Sequence, residues 1–145
     1  MSALPDFNEA GDLPPGIYPA PLDQVLARFG GPTPQRIQVG ERLSRIYNLA
    51  KGTGHLARFI VFGSFVTDKP APNDVDVFML MEDSFEASRL SGETAILFDH
   101  PGAHNYFGAS IFWVRRLAAL GGETATIEHW QIKRDGDRRG IVEVI

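Results

Sequence analysis

Two carboxylates, Asp74 and Asp76, stand at the start of an apolar run, and their type and spacing suit them to chemistry. On a strand, residues two apart project from one face, with Cα atoms roughly 6–7 Å from each other. Both side chains should be ionised at neutral pH, where they repel each other. Such a pair needs water or a cation, and Mg²⁺ suits two carboxylates combined with substrate phosphates. The pair therefore indicates a metal site for phosphoryl-type transfer.

A glycine–serine corner precedes this pair. The apolar run from Phe59 to Phe62 has the length of a strand and ends at Gly63-Ser64. Glycine lets backbone approach a ligand because it has no Cβ, and the backbone N–H groups and the Ser64 hydroxyl can hold phosphate oxygens. Lys69, in the loop that follows, could meet a phosphate or simply be exposed. The alternative interpretation is that the carboxylates lie on a solvated edge strand and that the corner is only a turn.

The composition favours one globular domain. The chain has 145 residues, 43% apolar and 22% charged, which suffices for a core in a single domain, 1–145. The absence of Cys excludes disulfides and thiolate zinc sites and fits a cytoplasmic protein. We expect neither a signal peptide nor a membrane span. The net charge of −4 disfavours general coating of nucleic acid but allows a local basic patch.

The elements that position the corner and the carboxylates are predicted from periodicity. Residues 1–21, rich in Pro and Gly, should form an irregular N-terminal arm. One amphipathic helix is predicted over 22–29, and a second begins at the Thr33-Pro34 cap and ends at Gly52. The charged members of the second helix should form a solvated face: Arg36, Glu41, Arg42 and Arg45.

The second half of the chain has weaker patterns. The predicted elements are helical pieces between 82 and 108 with breaks at Ser91-Gly92 and Pro101-Gly102, a strand over 109–114, a helix over 123–133, a turn over 134–140 and a closing strand over 141–145. Trp113 and Trp130 are expected to belong to the core rather than to stack on a nucleobase. The predicted helices and strands together indicate a sheet covered by helices.

The order Gly63-Ser64, then Asp74-x-Asp76, resembles the signature of the polymerase-β-like nucleotidyltransferase superfamily. Most of the chain also looks like an uncharacterised family of small bacterial nucleotidyltransferase-like proteins. The stretches that carry this second resemblance are Phe7 to Pro19, Gly63-Ser-Phe-Val-Thr-Asp-Lys69, Pro72-Asn-Asp-Val-Asp76 and Gly140-Ile-Val-Glu-Val144. The resemblance implies an α/β (α+β) fold, a nucleotidyltransferase-like mixed β-sheet with helices packed on it.

The resemblance also implies a function. It implies Mg²⁺-dependent transfer of an adenylyl-type nucleotidyl group from a nucleoside triphosphate such as ATP to a hydroxyl of a partner protein or RNA. Asp74 and Asp76 would be the catalytic and metal-binding residues, while Gly63, Ser64 and Lys69 would bind the nucleotide. Related minimal nucleotidyltransferases often occur as partners of toxins or in phage defence, so a toxin-like partner protein is implied as well.

A third carboxylate is the part of the superfamily pattern that this sequence lacks. The superfamily supplies it from a later strand, where it helps to bind one metal and to deprotonate the attacking hydroxyl. Here its position falls at Ser110 or a neighbour, and the strand over 109–114 contains no acid. Asp99 and Glu93 are the nearest alternatives, although Asp99 is more simply a solvated residue of a loop or helix end. Two hypotheses stay open: an enzyme with two carboxylates, and a catalytically degenerate binding module, antitoxin-like or regulatory.

Other polar clusters have weaker functional interpretations. His100 and His104 have the spacing of a zinc pair on a helix, but Pro101-Gly102 between them disfavours that helix. A basic cluster near the end of the chain could contact a triphosphate, an RNA phosphate or a partner, or form a solvated turn: Lys133, Arg134, Arg138 and Arg139.

Overall fold

The chain forms a mixed five-stranded sheet in the computed structural model, which describes residues 4–145. In chain order the strands are β1 (Ile17–Ala20), β2 (Leu56–Phe62), β3 (Val75–Met81), β4 (Ala109–Arg115) and β5 (Ile141–Val144). Their order across the sheet is β1-β5-β2-β3-β4. Strand β2 is antiparallel to β3 and β5, while the β1–β5 and β3–β4 pairs are parallel. The predicted α/β (α+β) class with a mixed sheet is confirmed.

Helices cover the two faces of the sheet unequally. Within residues 4–145 the helices are α1 (Leu22–Phe29), α2 (Pro34–Gly52), α3 (Gly92–Leu97), α4 (His100–Phe107) and α5 (Glu123–His129). The first four contribute to the main core on one face, where Val77, Met79 and Ile111 are almost fully buried. On the opposite face, α5 packs Ile127 against Phe78. None of the described helices is long and apolar enough to cross a membrane.

The first two helices lie where the apolar periodicity predicts them, and their ends follow the predicted signals. Pro34 begins α2, and the Thr33 hydroxyl accepts a hydrogen bond from the Arg36 N–H at 3.2 Å. This is the arrangement expected of an N-cap threonine followed by proline. At the end of α1, the Gly30 N–H donates to the Leu26 carbonyl oxygen at 2.8 Å.

The N-terminal arm is more regular than predicted. Residues 1–3 of the predicted arm lie outside the described residues, but Ile17–Ala20 form β1 and pair in parallel with β5. The prediction of an irregular arm over 1–21 is therefore wrong at this strand. Its Pro19 hid the strand pattern, since proline lacks an N–H, yet β1 lies at the edge of the sheet, where proline is tolerated.

The predicted helix break at Pro101-Gly102 is wrong. Helix α4 runs unbroken from His100 to Phe107, with Pro101 in its first turn, where the missing N–H has no intrahelical partner to lose. The helix ends at Gly108, whose φ of 64° is the left-handed conformation that glycine adopts easily. The break at Ser91-Gly92 is confirmed, because α3 begins at Gly92.

The last third of the chain follows the prediction with shorter elements. Helix α5 ends at His129 rather than at residue 133, and β5 ends at Val144. The indole N–H of Trp113 donates to the Phe98 carbonyl oxygen at 3.0 Å, while the Trp130 ring lies 4.5 Å from the Phe62 ring, centre to centre. Both tryptophans pack against the hydrophobic clusters, as predicted.

Candidate functional site

The two carboxylates lie where β3 begins. Asp74 immediately precedes the strand, and Asp76 is its second residue. Alternation along β3 sends Val75 and Val77 into the main core and Asp76 to the opposite face, which Phe78 shares. Asp74 and Asp76 line the same cavity, of about 640 Å³, so the structure brings the predicted pair together.

Gly63 makes room for the Asp76 carboxylate. In the β2–β3 register, Phe62 is the partner of Asp76, so Gly63 follows directly beside it. Gly63 has φ 79° and ψ −164°, a conformation that is essentially restricted to glycine. A Cβ at this position would collide with the Asp76 carboxylate. The glycine is therefore required both by the turn and by the close approach of the acid.

Ser64 and Lys69 complete the corner. Ser64 begins a short 3₁₀ turn, in which its carbonyl oxygen accepts hydrogen bonds from the Thr67 N–H at 3.2 Å and the Thr67 hydroxyl at 2.7 Å. Both Ser64 and Lys69 line the cavity that holds the two carboxylates. Two of the three predicted nucleotide-binding residues thus line the cavity, while Gly63 is not among the lining residues but lies against Asp76.

A buried arginine holds this corner in place. Arg36 of α2 is only 5% exposed, so its assignment to a solvated helix face is wrong. Its guanidinium donates to the carbonyl oxygens of Phe65 at 2.8 Å and Thr67 at 2.6 Å. It also donates to the carbonyl oxygens of Lys69 at 2.6 Å and Phe29 at 3.0 Å. Burial lowers the pKa of Arg36, and these carbonyl groups replace the water that the charge has lost.

Asp76 is the carboxylate of the site whose charged form is disfavoured by its surroundings. Burial, and secondarily the charge of Asp74, raises the pKa of Asp76 to about 6. A hydrogen bond from the Ser110 hydroxyl and the positive charges of Arg139 and Arg134 act in the opposite direction without cancelling the rise. Two crowded carboxylates whose repulsion is not fully compensated by the protein are a good fit for a cation, and Mg²⁺ accepts oxygen ligands of this kind.

Basic residues also line the cavity. They are Lys133, Arg134 and Arg139, and Asp135 lies among them. The role of this basic cluster stayed undecided from the sequence alone, because it lies far along the chain from β3, which ends at Met81. The clustering of four basic residues within 133–139 was the available signal.

The N-terminal arm positions two of these cations. Asp12 is buried, and its backbone forms an isolated β-bridge with Thr67, which lies in the loop after β2. Its carboxylate lies 3.0 Å from the Lys133 ammonium nitrogen and 3.6 Å from an Arg139 guanidinium nitrogen. Asp12 was not predicted from the sequence to support the site. A single acid in a loop rich in Pro and Gly gives no pattern from which this role could be inferred.

Ser110 occupies the position expected for a third carboxylate. In the parallel β3–β4 pair it is the register partner of Asp76, and it lines the cavity. Asp99 precedes α4 as an exposed residue, and Glu93 pairs with Arg45 on the surface. Neither acid is among the cavity-lining residues. Within residues 4–145, no group of three or more His, Asp or Glu side chains is placed to hold a metal ion.

His100 and His104 lie on one helix, contrary to the expectation that Pro101-Gly102 would separate them. Nδ1 of His100 is 2.8 Å from the carbonyl oxygen of Ile111, which lies on β4, an edge strand of the sheet. Both histidines line a smaller cavity, which also includes Ser110. The two histidines are therefore neighbours of the carboxylate site, with Ser110 between them and Asp76.

Comparison with known proteins gives one match. A model for a family of unknown function, DUF6932, matches residues 5–145. Neither a curated protein nor a solved structure matches the chain. Since the family model covers nearly all of the sequence, the chain belongs to this family of unknown function.

Proposed function

We propose that the protein is a Mg²⁺-dependent nucleotidyltransferase. It would move an adenylyl-type group from a nucleoside triphosphate to a hydroxyl of a partner protein or RNA, in the cytoplasm. The observation that carries this proposal is the combination of charges: Asp74 and Asp76 line one cavity together with Lys133, Arg134 and Arg139. A metal–triphosphate needs both kinds of charge, because the ion requires anionic oxygens and the phosphates require cations.

Each side chain has a stated role in this proposal. Asp74 and Asp76 hold Mg²⁺, which supplies neutralisation of the phosphate charge when it is bound. Ser64 and the adjacent backbone orient phosphate oxygens at the corner. Arg134 and Arg139 bind the remaining phosphate charge, as arginine does through its planar array of donors.

The transfer itself requires positioning more than covalent chemistry from the protein. The acceptor oxygen attacks the α-phosphorus and loses its proton. The bond from the α-phosphorus to the bridging oxygen breaks, and pyrophosphate leaves with the electron pair. Lys133, Arg134 and Arg139 stabilise the negative charge of the leaving pyrophosphate.

A second candidate function is favoured by Ser110. A serine at the register position beside Asp76 leaves two carboxylates and no strong base in the cavity. The chain would then be a catalytically degenerate binding module that holds a nucleotide without turning it over, as an antitoxin-like or regulatory partner protein. Turnover is therefore the property that separates the two candidates.

The test measures label transfer. The protein is incubated with Mg²⁺ and each α-³²P-labelled nucleoside triphosphate, together with total RNA or protein from cells that lack it, and labelled products and pyrophosphate are quantified. We expect transfer that is lost in Asp74→Asn and Asp76→Asn. Asp137→Asn is the matched control, because Asp137 is exposed and does not line the cavity. Binding without any transfer would support the second candidate, and transfer that persists in both Asp→Asn variants would refute the proposed site.

A further inference from the structure

The proposed transfer needs a proton acceptor, and the carboxylate pair is not suited to this task. Asp74 and Asp76 are committed to the cation in the proposal. Ser110, which stands where a third carboxylate is expected, donates its hydroxyl hydrogen bond to Asp76. A serine hydroxyl is also too weakly basic to take a proton near neutral pH. The acceptor must therefore come from another element beside Ser110.

His100 lies at that place. Strand β4 is the edge of the sheet, and the imidazole of His100 caps its outer side by bonding to the Ile111 carbonyl oxygen at 2.8 Å. The ring also packs on Phe112, with 4.7 Å between ring centres. Phe112 and Ser110 are two apart on β4 and project from the same face as Asp76. The imidazole is thus held on the side of the sheet that carries the carboxylates.

The cavity beside His100 adjoins the carboxylate site. It measures about 400 Å³ and includes His104 and Asn105, and it shares Ser110 with the larger polar cavity. Asp76 and Ser110 are register partners on β3 and β4, and neighbouring strands lie about 4.8 Å apart. Ser110 therefore stands between Asp76 and the cavity that His100 lines.

The contact with Ile111 fixes the tautomer of His100. A carbonyl oxygen accepts hydrogen bonds and donates none, so Nδ1 must carry a proton. In the neutral imidazole, Nε2 then holds a lone pair. This is the arrangement of a general base, with one nitrogen oriented by a backbone group and the other available to take a proton.

We propose that Nε2 of His100 takes the proton of the acceptor hydroxyl, in place of a third carboxylate. The inference rests on the proposed nucleotidyl transfer. As the acceptor oxygen bonds to the α-phosphorus, its proton moves to Nε2, and the bond to pyrophosphate breaks. The imidazolium then returns the proton to solvent, since His100 is exposed.

The test compares His100→Asn, His100→Ala and the matched control His129→Ala, at an exposed histidine that lines neither of the two cavities. The asparagine amide can still donate to the Ile111 carbonyl oxygen but cannot act as a base, so it separates a catalytic role from a structural one. Binding of Mg²⁺ with the non-hydrolysable α,β-methylene ATP is measured by calorimetry. Pyrophosphate release from ATP is measured with glycerol as a probe alcohol, with and without added imidazole.

We expect the two His100 variants to bind the analogue like the parent and to release pyrophosphate about 100-fold more slowly or worse, the usual contribution of a general base. Imidazole should restore the rate of His100→Ala, and His129→Ala should keep the parent rate. An unchanged rate in His100→Asn, absent rescue by imidazole, or loss of binding in both His100 variants would overturn the base role. A parent that does not bind the analogue refutes the proposed function itself, while binding without pyrophosphate release favours the binding module and removes the need for a base.

Discussion

Asp76 is the residue at which folding and the proposed function oppose each other. Its pKa is raised from the ordinary value of 3.8 to about 6, mainly by burial and then by the charge of Asp74. Between these values the folded protein binds more protons than the unfolded chain. The contribution of this group to the free energy of unfolding is therefore complete below about pH 4 and is lost as the pH rises through about 6. Without a metal, ionisation of Asp76 lowers the free energy of unfolding. This argues for a ligand that compensates the charge of Asp76.

Replacing this acid should stabilise the metal-free protein in a pH-dependent manner. We expect Asp76→Asn to raise the free energy of unfolding near neutral pH by about 1–3 kcal/mol, since each pKa unit corresponds to about 1.4 kcal/mol. Near pH 4 the two proteins should be equally stable, because Asp76 is then protonated and resembles asparagine. Urea unfolding at both pH values checks this. An Asp76→Asn variant that is less stable than the parent at neutral pH would contradict the account.

Gly63 is the second residue on which the site depends. An alanine here would adopt a strained backbone conformation, and its Cβ would displace the Asp76 carboxylate. We expect Gly63→Ala to lower the free energy of unfolding by about 1–3 kcal/mol and to weaken binding of Mg²⁺ with nucleotide. Gly52→Ala is the matched control, because Gly52 has a helical backbone and open space around its Cβ position. That variant should be as stable as the parent or more stable by up to about 1 kcal/mol. Equal effects of the two substitutions in chemical unfolding would refute this assignment.

At the scale of elements, Arg36 connects helices α1 and α2 to the corner that follows β2. Its guanidinium binds carbonyl oxygens at the end of α1 and along residues 65–69, so one side chain sets the position of that loop relative to both helices. The loop carries Ser64 and Lys69 into the cavity. The shape of the proposed nucleotide-binding corner therefore depends on a residue outside the site.

Removing Arg36 should damage both stability and binding. We expect Arg36→Ala to lower the free energy of unfolding by about 2–4 kcal/mol, because several buried carbonyl groups lose their hydrogen-bond donor. Arg36→Lys keeps the charge but cannot reproduce the planar array of donors, so it should recover only part of the loss. Arg45→Ala, on the exposed side of the same helix, should change stability by less than about 1 kcal/mol. Thermal and chemical unfolding of the three variants tests this, and a mild Arg36→Ala would contradict it.

The sequence predicts elements well where apolar periodicity alone determines them. Strands β2, β3 and β4 and helices α1 and α2 follow from their apolar patterns and caps. Strand β1 could not be predicted, since it exists through pairing with β5, which lies at the other end of the chain. Helix α4 was missed because proline in a first turn looks like a break when the helix start is unknown. Arg36 was misassigned because helical periodicity does not reveal a tertiary partner for a charge.

The candidate site shows the same division. The corner and the carboxylate pair are close in sequence, so their proximity could be predicted from one loop between two strands. Lys133, Arg134 and Arg139 come from the segment after β4. Asp12, which pairs with Lys133 and Arg139, comes from the N-terminal arm. These contacts depend on the crossing of distant segments, and nothing in the local pattern determines them.

At the scale of the whole molecule, the two faces of the sheet have separate roles. Four helices bury one face, which provides the main core. The other face has α5 over its middle and leaves the end that carries Asp76 and Ser110 open to a cavity. The protein has a net charge of −4, yet four basic side chains line this cavity: Lys69, Lys133, Arg134 and Arg139. Asp74, Asp76 and Asp135 line the same cavity, and this mixed charge favours a specific metal-bound anion over general binding of nucleic acid.

Calorimetric titration of ATP with and without Mg²⁺, into the parent and into Asp74→Ala/Asp76→Ala, tests the central claim most directly. We predict binding to the parent that requires Mg²⁺, and no Mg²⁺-dependent binding to the double variant, whose fold is checked by circular dichroism. Nucleotide binding that is the same in both proteins, or that is indifferent to Mg²⁺, would contradict the account.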